Sequence, residues 1–143
     1  MKLIYLVSLI WVFAFASCGK KSEEQPKPKT ITEILSKTWR ISRVTINGSV
    51  DNVGNYSNYR ITLSQNGSYR IVLSNSPITI VAHLGDSGTW ELTDNNTFIL
   101  FDKGNPTRET KTPLISPSET SFSVRFNLDD KLRSEYVVGF VPA

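Results

Sequence analysis

An all-β fold, an eight-stranded antiparallel up-and-down barrel preceded by one short N-terminal helix, is what this sequence predicts. Three observations predict it. Apolar residues recur with period two through most of residues 38–141, Asn-, Asp- and Gly-containing turns separate the runs, and helical periodicity is confined to a few residues ahead of the first strand.

Taken in order, the chain opens on Lys2 and the run "LIYLVSLIWVFAF", thirteen residues almost free of polar groups. That is the length of a signal-peptide core and falls short of the roughly 20 apolar residues a spanning helix needs, so residues 1–17 read as an export signal. Two cleavage patterns overlap there. Ala14-Phe15-Ala16 is the small-x-small pattern of ordinary signal peptidase, and Ala16-Ser17-Cys18 resembles the bacterial lipoprotein box, with Phe15 where leucine is usual. The flank favours the second: "CGKKSEEQPKPKT", residues 18–30, is a polar, proline-bearing tether of the kind that links a membrane to a folded domain. The resemblance implies that Cys18, the only cysteine, loses its thiol to acylation. Several acyl chains, at about 0.8 kcal/mol per buried methylene, then hold the protein to a membrane.

Gly19 stands where an aspartate resembles an inner-membrane retention signal, which points to the outer membrane. Lys21-Ser22-Glu23-Glu24 resembles the lysine-then-acidic surface export signal of Bacteroidetes lipoproteins, and reads equally as solvated tether.

Residues 31–143 form one domain by size, and at that size roughly two thirds of the unfolded surface can be buried. The formal charge of +3 and the pI near 9.1 suggest a basic protein. The excess is local. Lys2, Lys20, Lys21, Lys27 and Lys29 carry it, while residues 31–143 hold eleven basic and eleven acidic side chains. A neutral domain lacks the electrostatic footprint of a nucleic-acid binder, and the basic tether suits anionic headgroups.

Thr30-Ile31-Thr32-Glu33 fits a capping box, and Ile31, Ile34 and Leu35 share one face of a helix reaching Lys37. Period two then predicts strands at 38–46, 57–64, 68–74, 77–83, 87–93, 97–102, 120–128 and 132–141. The turns test the registers. A three-residue loop at Gln65-Asn66-Gly67 pairs Leu63 with Tyr69 and Ile61 with Ile71, and places Gly67 in the left-handed conformation such a loop requires. A loop at Asp94-Asn95-Asn96 pairs Leu92 with Phe98 and Trp90 with Leu100; one at Asp129-Asp130-Lys131 pairs Leu128 with Leu132 and Val124 with Tyr136. Residues 103–119 hold Pro106, Pro113 and Pro117 and read as a long connection without a central strand.

The helix with "LSKTWRI" (Leu35 to Ile41), "ITLSQNGSYRI" (Ile61 to Ile71) and "GTWELTDNNTFILF" (Gly88 to Phe101) resembles the lipocalin-like domains of small Bacteroidetes lipoproteins over about residues 31–141. It departs from secreted lipocalins in having Ser36-Lys37-Thr38-Trp39 where they carry Gly-x-Trp. The resemblance implies a barrel holding small apolar ligands.

Chemistry of other kinds finds little material. One histidine and one acylated cysteine make no zinc site or Cys/His pair, and no cofactor or phosphate-cradling motif is present. His83, Asp86 and Ser87 lie close in sequence without a nucleophile elbow, so the expectation is a non-enzymatic protein. What remains is the lining. Trp39, Ile41, Tyr59, Tyr69, Trp90, Phe98, Phe122, Phe126 and Tyr136 form a candidate pocket, with Arg43 on the face of Trp39 and Ile41 as a partner for a ligand carboxylate. The same side chains can instead fill the barrel as packed core. Two functions follow: an outer-membrane-anchored barrel that binds a small apolar ligand or serves an envelope complex, or a protein-binding module such as a hydrolase inhibitor, acting through rim loops at 47–57 and 103–119.

Overall fold

The computed structural model describes residues 27–51, 56, 58–72, 84–127 and 134–143. Cys18, the signal segment, the strand expected at 77–83, His83 and the pairing of Leu128 with Leu132 lie outside them.

Helix α1 spans Ile31–Leu35. The capping box forms as expected: the Glu33 amide donates to Thr30 Oγ1 at 3.2 Å, and the Thr30 amide donates to Glu33 Oε2 at 2.7 Å. The helix is one turn long, so packing rather than propensity stabilises it. Leu35 is fully buried, and burying a leucine stabilises by about 1.5–3 kcal/mol.

The strands are β1 Thr38–Ile46, β2 Ser49–Val50, β3 Arg60–Leu63, β4 Ser68–Val72, β5 Ser87–Thr93, β6 Phe98–Phe101, β7 Thr110–Ile115, β8 Phe122–Asn127 and β9 Glu135–Pro142. They form one antiparallel sheet in the order β2-β1-β3-β4-β5-β6-β7-β8-β9, closed by β1 pairing with β9. The result is an eight-stranded barrel with β2 as an extra hairpin strand at the end of β1. Closure leaves the barrel strands no open edge.

The barrel has eight strands, as expected, and one of them stands where no strand was expected. β7 lies inside the region read as a strand-free connection, between β6 and β8, with Pro113 in register opposite Phe98. β4 pairs directly with β5. A proline is tolerated here because the missing donor is replaced. The Leu114 amide bonds Thr97 on the β6 side, so the Pro113 nitrogen faces β8, where the Thr112 hydroxyl donates to the carbonyl of Arg125 at 2.5 Å. Arg125 follows Val124, the partner of Leu114, and so lies opposite Pro113.

The β3–β4 register is the expected one, with Leu63 opposite Tyr69, Ile61 opposite Ile71 and Gly67 at φ +79°. At β5–β6 it is shifted by one residue: Trp90 faces Phe101 and Leu92 faces Ile99. Asp94, Asn95 and Asn96 all adopt positive φ, and the Thr97 amide and hydroxyl both return to the Asp94 carbonyl, which makes a four-residue loop. At β8–β9 the slip is two residues, Phe126 opposite Tyr136 and Val124 opposite Val138, so every side chain keeps its expected face.

Candidate functional site

The barrel interior is the candidate site, and most of its expected lining is packed core. Trp39 and Tyr59 are fully buried, and Ile41, Tyr69, Trp90 and Phe122 are nearly so. Trp39 meets Phe122 edge to face at 4.8 Å between ring centroids; Phe122 stacks on Phe140, also at 4.8 Å. Both tryptophans have their N–H groups satisfied, Trp39 by the Leu35 carbonyl at 2.8 Å and Trp90 by the Ser64 carbonyl at 3.0 Å. Burial pushes the Tyr59 phenol well above its ordinary pKa. These rings hold one another in place and anchor α1 to the first strand.

Two expected lining residues lie elsewhere. Arg43 is exposed on the outer face, because β1 carries a bulge between Ile41 and Arg43: Ile41 pairs with Phe140, and Arg43 pairs with the next residue back, Gly139. The extra residue reverses the alternation, so Val44 takes the inward position. Arg43 borders an outer groove of about 280 Å³ with Thr45, Ser123, Val137 and Gly139. Phe98 also turns outward, under the Lys111 ammonium at 4.8 Å, since the one-residue shift gives the inward positions to Ile99 and Phe101.

At the opposite end from α1 the lining loosens. Phe126 and Tyr136 pair across β8 and β9, Ile46 pairs with Tyr136 across β1 and β9, and all three pack on the core while remaining half-buried. Tyr56 joins them, and its hydroxyl donates to Asp51. Burial, reinforced by that carboxylate, pushes the Tyr56 phenol up to about 12.

Around the β6–β7 turn sits a polar cluster that sequence reasoning missed. Asp102 is 6% exposed, although it directly follows inward-facing Phe101; its φ of +50° turns the carboxylate in. Oδ1 accepts from the Thr89 amide at 3.1 Å. Oδ2 accepts from the Tyr69 hydroxyl at 2.6 Å and from Arg108 Nε and Nη2 at 3.1 and 2.8 Å. Arg108 Nη2 also donates to the Ser87 carbonyl at 2.7 Å, which ties the β6–β7 turn to β5.

Burial acts to raise the Asp102 pKa, but the hydrogen bonds from Tyr69, Thr89 and Arg108 outweigh it and hold the carboxyl below the usual range. The Tyr69 phenol moves the other way, up to about 12, through burial and its bond to Asp102. A signal for this cluster was in the sequence. Gly88 lies inside a strand pattern, which marks close approach, and a Cβ there would fall 1.9 Å from Asp102 Oδ1. A Cβ on Gly85 would meet the Arg108 guanidinium carbon at 2.7 Å.

The cluster holds one acid, one base and one phenol fully engaged with one another, an arrangement that fastens strands together. Among the described residues no group of three His, Cys, Asp or Glu side chains is placed to hold a metal, and no helix is long and apolar enough to cross a membrane. Compared with known protein families and with curated proteins, the chain matches none.

Proposed function

We propose that this chain is a non-enzymatic binding barrel, carried on the bacterial outer membrane by an acylated Cys18, and that it takes small apolar ligands at the end ringed by Ile46, Tyr56, Phe126 and Tyr136. The observation that supports the ligand reading is the half-burial of those four large side chains above a floor of fully packed rings. A small molecule seated there would cover apolar surface that the barrel leaves wet, with the Tyr136 hydroxyl available to orient it. The anchor rests on the lipoprotein box and the polar tether.

The ligand test is titration of the purified protein with the neutral dye N-phenyl-1-naphthylamine. Saturable fluorescence that a fatty acid displaces, and that Phe126→Ala and Tyr136→Ala lose while remaining folded, is the expected result. Absence of saturable binding to the wild-type barrel would defeat the ligand reading. The anchor has its own test: cells fed an alkyne-tagged palmitate should label the wild-type protein and not Cys18→Ser. An unlabelled wild-type protein removes the membrane address and leaves the ligand question untouched.

A further inference from the structure

At the α1 end, the β3–β4 and β5–β6 turns meet the helix around an open groove of about 420 Å³. The two turns are neighbours because β4 and β5 pair, and the Trp90 amide bonds the Gly67 carbonyl at 2.8 Å. The volume falls within the roughly 300–1,000 Å³ typical of small-molecule sites.

The lining is rich in side-chain amides, those of Gln65, Asn66 and Asn96, with Thr32 contributed by α1. Among the described residues, neither the Gln65 nor the Asn96 amide has a protein partner. Asn66 commits only its oxygen, to the Ser68 amide and hydroxyl at 3.0 and 2.7 Å, which leaves its NH2 group able to donate. Leu92 and Trp90, the latter buried, complete the lining.

Charge narrows the ligand class. Among the described residues no lysine or arginine lines the groove, and the one carboxylate there, Glu91, is engaged by Lys103 Nζ at 2.7 Å. An anion would find no cation there, and a metal ion would find a single carboxylate already in use. A wholly apolar ligand would strip water from amides without replacing their hydrogen bonds. A neutral polyhydroxylated ligand suits all of these groups at once: amides donate and accept together, as hydroxyls do, and Leu92 can meet the C–H face of a ring.

We propose that this groove is a saccharide site, separate from the apolar end of the barrel. The test is an NMR titration of the 15N-labelled protein with two neutral sugars, maltotriose and tri-N-acetylchitotriose. At least one should give saturable shifts at the amides of residues 64–67 and 94–97 while Phe126 and Tyr136 stay unmoved. Gln65→Ala combined with Asn96→Gly should weaken binding about tenfold, the loss of about two hydrogen bonds, with an unchanged thermal midpoint. Glycine suits position 96, where φ is +64°. The proposal is overturned if neither sugar gives saturable shifts at these amides up to about 10 mM, a concentration corresponding to less than about 3 kcal/mol of binding, or if the double variant binds as tightly as wild type.

Discussion

Asp102 shows what a single buried charge requires. A carboxylate taken out of water is costly unless donors replace the solvent, and here the two oxygens receive four donated hydrogen bonds from three side-chain or backbone partners. Gly88 leaves the space for it. The Gly88→Ala variant must displace the carboxylate and also the Tyr69 ring, whose Cε1 would lie 2.7 Å from the new methyl. It should lose about 3 kcal/mol in urea unfolding, at the upper end for overpacking; a loss under about 0.5 kcal/mol would mean that the strand moves aside freely. The titration directions give a second expectation. Because the folded Asp102 pKa is depressed, its contribution is complete above the unfolded value near 3.8 and is lost as pH falls through the lower folded one. Tyr69 is raised, so its contribution is complete below about 10 and is lost as pH rises toward about 12. The urea midpoint should therefore fall at both extremes, and Asp102→Asn should flatten the acid limb; an acid limb identical to wild type would remove Asp102 from the explanation.

Among the elements, β7 is the one whose existence hangs on a side chain. Thr112 is fully buried, and its hydroxyl supplies the hydrogen bond to Arg125 that Pro113 cannot. Thr112→Val keeps the shape and removes the donor, leaving a carbonyl short of a partner, at an expected cost of about 1–2 kcal/mol. Pro113→Ala restores a backbone N–H on the side facing β8. The two changes together should cost less than their sum, and strict additivity in a double-mutant cycle would refute the replacement argument. This is also why β7 was illegible in the sequence: a proline ordinarily excludes a central strand, and the compensating hydroxyl belongs to a neighbour whose orientation only the fold sets. Legibility elsewhere followed the same physics. The β3–β4 hairpin could be read because Gly67 and the alternation of Ile61, Leu63, Tyr69 and Ile71 agree on one register. Phe98-Ile99-Leu100-Phe101 is apolar throughout and carries no parity, so the shift at β5–β6 left no trace in the pattern. Arg43 was misplaced because nothing in "RISRV" announces a bulge. The half-buried rim was legible as composition in Phe126 and Tyr136, but Ile46 joins it only through the pairing of β1 with β9, and Tyr56 only through its own packing on the core.

On the scale of the whole molecule, the barrel depends on its two ends meeting. β1 and β9 are about a hundred residues apart in sequence, yet they form the longest ladder described, from Trp39 opposite Pro142 to Ile46 opposite Tyr136. A contact so distant is slow to form and is rewarded only when the ring closes, so folding should be slow for a chain of this size and closure should carry cooperativity. The segment 140–143 concentrates that dependence. It supplies the partners of Trp39, Arg40 and Ile41, the Ala143 amide that bonds the Thr38 carbonyl, and the Phe140 ring that stacks on Phe122. Deleting residues 140–143 would leave β1 paired to β9 only from Arg43 onward and would open the core beside Trp39. The truncated chain should keep strand signal in far-ultraviolet circular dichroism, lose its sharp urea transition and bind an apolar dye broadly, the behaviour of a collapsed chain without fixed packing. Removal of Ala143 alone gives up one backbone hydrogen bond and should leave the transition sharp. If the longer deletion also unfolds in one sharp step, the cooperative unit lies in β3 to β8, and closure by β1 and β9 is an addition to a sheet that is already stable.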